Sequence, residues 1–429
     1  MHTAALKQNL LRNLSNLPGW RTRRHIVVIE SDDWGSIRMA SHESFRRLRD
    51  AGLPVERSHY NRFDGLESDD DLAFLMETLA EFRDSTGRPP VITGVNVVAN
   101  PDFDRIREEG FAAYRYEPYT RTLQRYPAHA HVEALWHEAA DRRLIVPAFH
   151  GREHLNAARW MRALRGGNRS TLLAFECGVT GIPRRGIGGE EVPNFQAAFD
   201  LDTTADLADQ QEVLRSGLAL FEQLHGRRAR YFVPTNGYFN GSLEKTLADE
   251  GIRYVNTSKV HEEPLGEGRY RNRYRYIGMR NELGQRYLTR NCFFEPSSME
   301  HPASKDWVND CLHEIETAFR WHKPATVSSH RVNYIGWLGP AARAAGRHPA
   351  AVARCRIHDL GRTGRPDRRQ IAAPRPYKNN PNDMKSRLTF AAATDAVNTY
   401  YTEGVNALVR KLYRRSYRRM CRMNGGGNF

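Results

Sequence analysis

The 429-residue chain has no apolar run approaching the roughly 18 residues that cross a bilayer, which excludes a helical integral membrane protein. The opening stretch MHTAALKQNLLRNLSNLPGW lacks the unbroken apolar segment and small-residue cleavage site of a secretory leader. Cysteine is scarce: Cys177, Cys292, Cys311, Cys355 and Cys421 are scattered, odd in number and without a CxxC spacing. This excludes a disulfide framework and fits a reducing compartment, so a cytoplasmic location is expected. Most of the chain also lacks a charge excess. Residues 340–429 hold 19 Lys+Arg against 5 Asp+Glu, the whole of the formal +14, leaving 45 of each sign in residues 1–339. The main part therefore gives no electrostatic sign of a nucleic-acid partner, and none is expected. No internal repeat is present.

What is there is enough for a core, with 40% hydrophobic and 10% aromatic residues. Short apolar runs alternate with longer amphipathic stretches, the pattern of an α/β protein. Strands are predicted at 25–31, 91–98, 144–149, 229–233, 252–256 and 325–329. They are rich in Val, Ile, Phe and Tyr and apolar on both faces, as in a buried parallel sheet. Helices are predicted at 41–51, 69–83, 131–142, 154–164, 205–225, 242–250 and 304–321. Polar clusters follow several strands: Ser31-Asp32-Asp33, 150–154, 234–238, 256–258 and 328–331. The expected fold is a distorted (β/α) barrel of about seven strands over residues 1–338, with the chemistry on one rim.

Asp32 and Asp33 leave a very apolar strand together, and two adjacent carboxylates there call for a counter-charge, which a divalent cation can supply. His150 and His154 follow the apolar run LIVPAF; on a starting helix the i, i+4 spacing would put both imidazoles on one face. One carboxylate and two imidazoles make a three-ligand metal site with room for water, the pattern of a catalytic metal. The second Asp of the pair, and His330 at the end of ATVSSH, remain as base and acid.

These segments resemble the motifs of the NodB-homology polysaccharide deacetylases, carbohydrate esterase family four, over about residues 24–335. IESDDWGSIRM resembles the first motif, which implies Asp32 as general base and Asp33 as metal ligand. FHGREH resembles the second, implying His150 and His154 as the other ligands. VPTNGYF is similar to the third motif, and VSSH to the last, implying His330 as general acid. SDDWGS, HGREH and SSHRVNY resemble a divergent branch of the family. Trp34 stands where the family has glycine. Val233 stands near the place of the arginine that holds the base, so Arg290, Arg152 or Arg331 is expected to take over. Trp34, Tyr238 and Tyr334 are candidates for stacking on a sugar, and Asn236, Arg290 and Asn291 for polar contacts to it.

The implied activity is metal-dependent removal of an acetyl group from an N- or O-acetylated sugar or glycan precursor during surface polysaccharide assembly. Zn2+ suits the ligand set, with Co2+, Ni2+ or Mn2+ as alternatives. A hydrolase of small amides or cyclic imides on the same scaffold and an inactive carbohydrate-binding homologue are the competing readings.

Residues 339–429 read differently from the rest, as a basic Ala/Arg-rich tail without helical or strand period. ARCRIHDLGRTGRPDR (353–368) can be back-translated so that one base later it reads PDVEFMTSDELGDLI, a strand, a helix start and an amphipathic helix. The expectation is a frameshift between about Trp337 and Ala353 that garbles the barrel's closing unit and leaves a poorly ordered tail. A well-packed strand and helix at 354–366 would contradict it.

Overall fold

In a computed structural model of the protein, residues 2–84, 87–298, 305–336 and 410–412 are described, without the side chains of residues 2–8 and 127. The strands, in chain order, are β1 (Val27–Trp34), β2 (Ile92–Val97), β3 (Ala99–Pro101), β4 (Tyr116–Pro118), β5 (Ile145–Gly151), β6 (Tyr231–Phe232), β7 (Tyr254–Asn256), β8 (Val260–Gly266), β9 (Arg269–Tyr274), β10 (Arg286–Leu288), β11 (Cys292–Phe293) and β12 (Ala325–His330). Eight of them form one parallel sheet in the order β10-β7-β6-β5-β2-β1-β12-β11. This is the curled sheet of a distorted (β/α) barrel with helices packed around it. Every residue of β1, β2 and β5 is buried, as a parallel sheet covered on both faces requires.

Six strands of this sheet are located by the sequence reading, which expects a barrel of about seven; the sheet has eight, because β10 and β11 went unrecognised. They are three and two residues long, and their patterns are too short to carry a period. They are the two end strands of the sheet, yet only residues 289–291 separate them, so the covalent chain itself bridges the seam. The closing unit expected beyond Trp337, including the segment 354–366, lies outside the described residues. So does the proposed frameshifted tail, apart from 410–412. These three are helical, and Leu412 is buried in the cluster that packs β1, β2 and β12 against the helices Asp69–Ala80, Val132–Asp141 and Trp307–Arg320.

All seven predicted helices exist, most within one to three residues of the reading. One displacement matters. The helix expected from His154 starts only at Ala157, where the Asn156 side chain accepts the backbone N–H of Arg159. His150 is therefore on the end of β5 and His154 is in a loop, so their proximity does not come from helical spacing. The turn after His150 uses Gly151 at φ +130°, where a side chain would press on the Phe199 ring.

Candidate active site

The C-terminal ends of β1, β5, β7 and β12 open on a cleft of about 610 Å³. Its floor is made by the end of β1. The pairing of β1 with β2 slips between Ser31 and Trp34, a bulge, and Asp33 there takes a positive φ of 78°. A non-glycine residue in this region is uncommon and marks a backbone bent for a purpose. The bend sends the two carboxylates apart. Both are buried, and each meets its own arginine.

Asp33 Oδ2 accepts from Arg38 Nη2 at 2.9 Å. Asp33 Oδ1 faces His154 Nε2 at 3.1 Å and His150 Nε2 at 3.4 Å. Donor atoms arranged tetrahedrally about one zinc at about 2.0–2.1 Å stand roughly 3.3 Å apart, so these spacings suit a shared cation. The three residues form the one cluster of metal-ligating type among the described residues. His150 Nδ1 donates to the Val233 carbonyl at 2.7 Å, which leaves Nε2 with its lone pair, buried and without a hydrogen-bond partner. Such an orphaned buried acceptor aimed at a carboxylate oxygen is what a metal ligand looks like when described without its metal. Burial, followed by the Arg38 charge, lowers the His154 imidazole to about 4, so it is neutral at pH 7, as ligation requires. Burial alone would raise the Asp33 carboxyl. Arg38, followed by the facing imidazoles, outweighs that and holds it well below the usual carboxylate range.

Asp32 is held by Arg290 in a two-pronged pair, Nη1 to Oδ2 and Nη2 to Oδ1, both at 2.6 Å. Arg290 Nε also reaches Glu30 Oε2 at 2.6 Å, and Nη1 donates to Ser328 Oγ at 3.1 Å. Tyr231 Oη donates to Glu30 at 2.8 Å and accepts from Asn256 Nδ2 at 2.8 Å. Arg290 lies in the three-residue bridge across the barrel seam and bonds directly to β1 and β12, and through Glu30 and Tyr231 the network extends to β6 and β7. Burial pushes Asp32 up, but Arg290 prevails and its carboxyl is lowered overall; Glu30, where burial wins, is raised.

β1 and β12 are neighbours, and Asp32 is the register partner of His330. His330 Nδ1 pairs with Glu295 at 2.7 Å, and Glu295 is itself held by Asn333 Nδ2 at 3.0 Å and Ser297 Oγ at 3.2 Å. Burial opposes the charged imidazole, but Glu295, then Asp33 and Asp32, raise it to about 9, so it carries two protons at neutral pH. Tyr60 stands edge-on to its ring at 5.4 Å.

Several expectations need correction. The counter-charge to the Asp pair is already present in Arg38 and Arg290, so the pair alone does not demand a cation. Trp34 is fully buried, donates to Ser31 Oγ at 2.9 Å and packs edge-on against Trp136, so it cannot meet a sugar. Tyr334 is likewise buried, at 1% exposure. Tyr238 is outside the cleft lining, bonded to Glu262 and set against Tyr270. Asn291 lines the cleft, but its amide is spent on Asn16, the Pro324 carbonyl and the Thr326 N–H. Asn236 is exposed at the cleft rim. Of the three arginines considered for Asp32, Arg290 is the one that touches it. Arg152 pairs with Glu153 and lies over Tyr116 at 4.0 Å, and Arg331 is buried between Asp64 and Glu67.

Arg38, Glu295 and Glu30 went unnoticed. Glu295 could have been found, since it follows the apolar CFF as the other polar site residues follow their strands. Arg38 and Glu30 carry no such signal.

No family model matches the chain, and no curated protein matches it. Among solved structures, similarity is found to a protein of Mycobacterium smegmatis described as a candidate polysaccharide deacetylase, with 12% identity over 90% of this chain and 96% of that one, at a TM-score of 0.34. The PuuE allantoinase is similar at 10% identity over 79% and 87%, with a TM-score of 0.36. A 4-α-glucanotransferase from Thermococcus litoralis matches at 13% identity and a TM-score of 0.26; 56% of this chain is covered, but only 22% of the glucanotransferase. Similarities this distant leave the functional reading to the site itself.

Proposed function

We propose that the protein is a metal-dependent hydrolase that removes an acetyl group from an acetylated sugar or glycan. The observation that carries this reading is the layout of the cleft floor: Asp33, His150 and His154 converge on one point, flanked by the Asp32–Arg290 pair and the His330–Glu295 pair. A divalent cation held by Asp33 Oδ1, His150 Nε2 and a nitrogen of His154 would polarise the acetyl carbonyl as a Lewis acid. Zinc suits one carboxylate and two imidazoles best, and Arg38 keeps the other Asp33 oxygen occupied, favouring single-oxygen ligation.

The chain's own residues supply the proton transfers. Asp32 accepts a proton from the attacking water, and Arg290 fixes which way its carboxylate points. His330, doubly protonated, donates to the departing amine or alcohol. Glu295 keeps that proton in place and the ring oriented. Asn236, Ser258 and Phe293 at the rim are exposed, so the cleft is open to a long substrate. That favours a glycan over the small amides or cyclic imides of the competing reading.

The test is metal analysis joined to acetate release. Wild-type protein is expected to hold about one zinc per chain. Asp33→Ala, His150→Ala and His154→Ala are each expected to lose most of it and to release no acetate from an acetylated oligosaccharide panel. Three variants that keep stoichiometric metal would end this assignment.

A second expectation concerns pH. His330 is raised, so activity that needs its proton is present at neutral pH and lost as pH rises through about 9. Glu295→Gln removes the largest upward influence, and the alkaline limb of kcat/KM should move to lower pH. An unmoved limb would show that Glu295 does not govern the acid.

A further inference from the structure

The first helix, α1 (His2–Ser15), is built inside out. Its polar side faces the protein. Arg12 pairs with Glu314 at 3.0 Å, Asn13 accepts from the Trp321 indole at 2.8 Å, and Ser15 accepts from Lys259 Nζ at 3.1 Å. Just beyond the helix, the buried Lys323 ammonium donates to the carbonyls of Pro18, Gly19 and Trp20 at 2.7, 2.6 and 2.9 Å. These bonds fix the helix roll. Leu10, Leu11 and Leu14, on one side of α1, and Leu17, two residues past its end, are left 58, 55, 49 and 38% exposed.

The apolar surface continues past the helix. Tyr276 lies against Gly19 and is 41% exposed. Val260, next to Lys259, pairs across the β8–β9 hairpin with Tyr274, and they are 46 and 76% exposed. On the other flank Phe293, whose N–H is held by the Glu314 that pairs with Arg12, is 51% exposed. So many exposed apolar side chains gathered about one helix on a folded surface mark an interaction site. Its charge says with what. No Asp or Glu occurs before Glu30, and Arg21, Arg23 and Arg24 are exposed beside the patch.

We infer that this face docks on an anionic lipid bilayer, with the leucine stripe of α1 in the interface, the tyrosines at its edge and the arginines on the headgroups. Leucines on one side, interfacial Tyr and flanking arginines are the composition of a helix that lies on a membrane. At 14 residues α1 is too short to span one. A second copy of the chain fits less well, because pairing this face with itself would bring the arginines of both copies together. Arg12, Asn16 and Phe293 also line the cleft, so the docked face adjoins its mouth. The inference does not depend on the reaction assigned to the cleft.

The experiment is co-sedimentation of the full chain with vesicles of phosphatidylcholine alone and of phosphatidylcholine with phosphatidylglycerol. Binding is expected to the anionic vesicles only. Leu11→Glu with Leu14→Glu should lower the partition coefficient about tenfold or more, as should charge reversal of Arg21, Arg23 and Arg24, each basic residue near the surface being worth about a factor of five. Thermal midpoints should be unchanged for both sets. Failure of wild-type protein to bind anionic vesicles would overturn the inference. So would a dimer dissociated by the leucine variant, or a marked loss of stability in that variant, since either would mean that protein already covers the stripe.

Discussion

Asp32→Asn is expected to lower kcat by on the order of a hundredfold or more, the usual scale for a general base, while bound metal stays at the wild-type level. The amide keeps the shape of the side chain but cannot take the proton, and its NH₂ end is repelled by the guanidinium it must face. His330→Gln should cost a similar factor for the opposite reason: nothing in its place can give a proton up. The two losses should differ in pH behaviour. Arg290 holds the Asp32 carboxyl below its ordinary range, so the acid limb of the wild-type profile lies below where a free aspartate titrates. The alkaline limb belongs to His330, raised to about 9. Each variant should abolish its own limb. Rates measured on an acetylated oligosaccharide, with zinc quantified on the same samples, decide the matter. Near wild-type turnover in either variant would take that residue out of the mechanism.

That these residues are legible in the sequence follows from how parallel sheets are built. A strand buried on both faces is apolar along most of its length, so the polar residues that follow the apolar runs IVVI, LIVPAF and ATV gather toward the rim. Asp32, Asp33, His150 and His330 sit at those ends. What holds them was harder to read. Arg38, Arg290 and Glu295 act across 5, 258 and 35 positions of sequence, on Asp33, Asp32 and His330 respectively. No local spacing encodes partners such as Arg290 and Glu295, and Arg38, though near in sequence, reaches Asp33 only because of the bulge there. Aromatic residues misled for a related reason. Trp34 follows the Asp pair in sequence, but the bulge at Asp33 turns its indole into the core rather than the cleft. β10 and β11 hide because a two- or three-residue strand has no period, and β9 because all six of its residues are exposed, so its alternation of Arg and Tyr reflects no buried face.

Arg331 illustrates how an arginine beside a catalytic motif can serve the scaffold instead, and its replacement should have the largest effect on stability. It directly follows His330 yet is wholly buried. Its guanidinium meets Asp64 at 3.1 Å and Glu67 at 2.9 Å, both also at 0% exposure, and donates to the Ser36 carbonyl at 2.7 Å. Glu67 in turn accepts the Gly35 N–H at 3.2 Å and the Trp136 indole at 3.3 Å. The network thus clamps the segment that leaves the Asp32-Asp33 bulge. Burial raises the Asp64 carboxyl to about 6 even against the pull of Arg331 and Arg38, a measure of how poorly this site tolerates a lone negative charge. Arg331→Met leaves Glu67 without its cation and Asp64 with only Arg38 at 3.7 Å, and removing one partner of a buried pair costs about 3–5 kcal/mol. Arg331→Lys should recover little, because one ammonium cannot reach two carboxylates and a carbonyl in the fork geometry of a guanidinium. Adding Asp64→Asn and Glu67→Gln to Arg331→Met removes the uncompensated charges and should restore a substantial part of the loss. Urea unfolding of these three variants beside the wild type measures this. A loss below about 1 kcal/mol in Arg331→Met, within the range of exposed ion pairs, would mean that the buried network is not what holds the floor of the cleft in place.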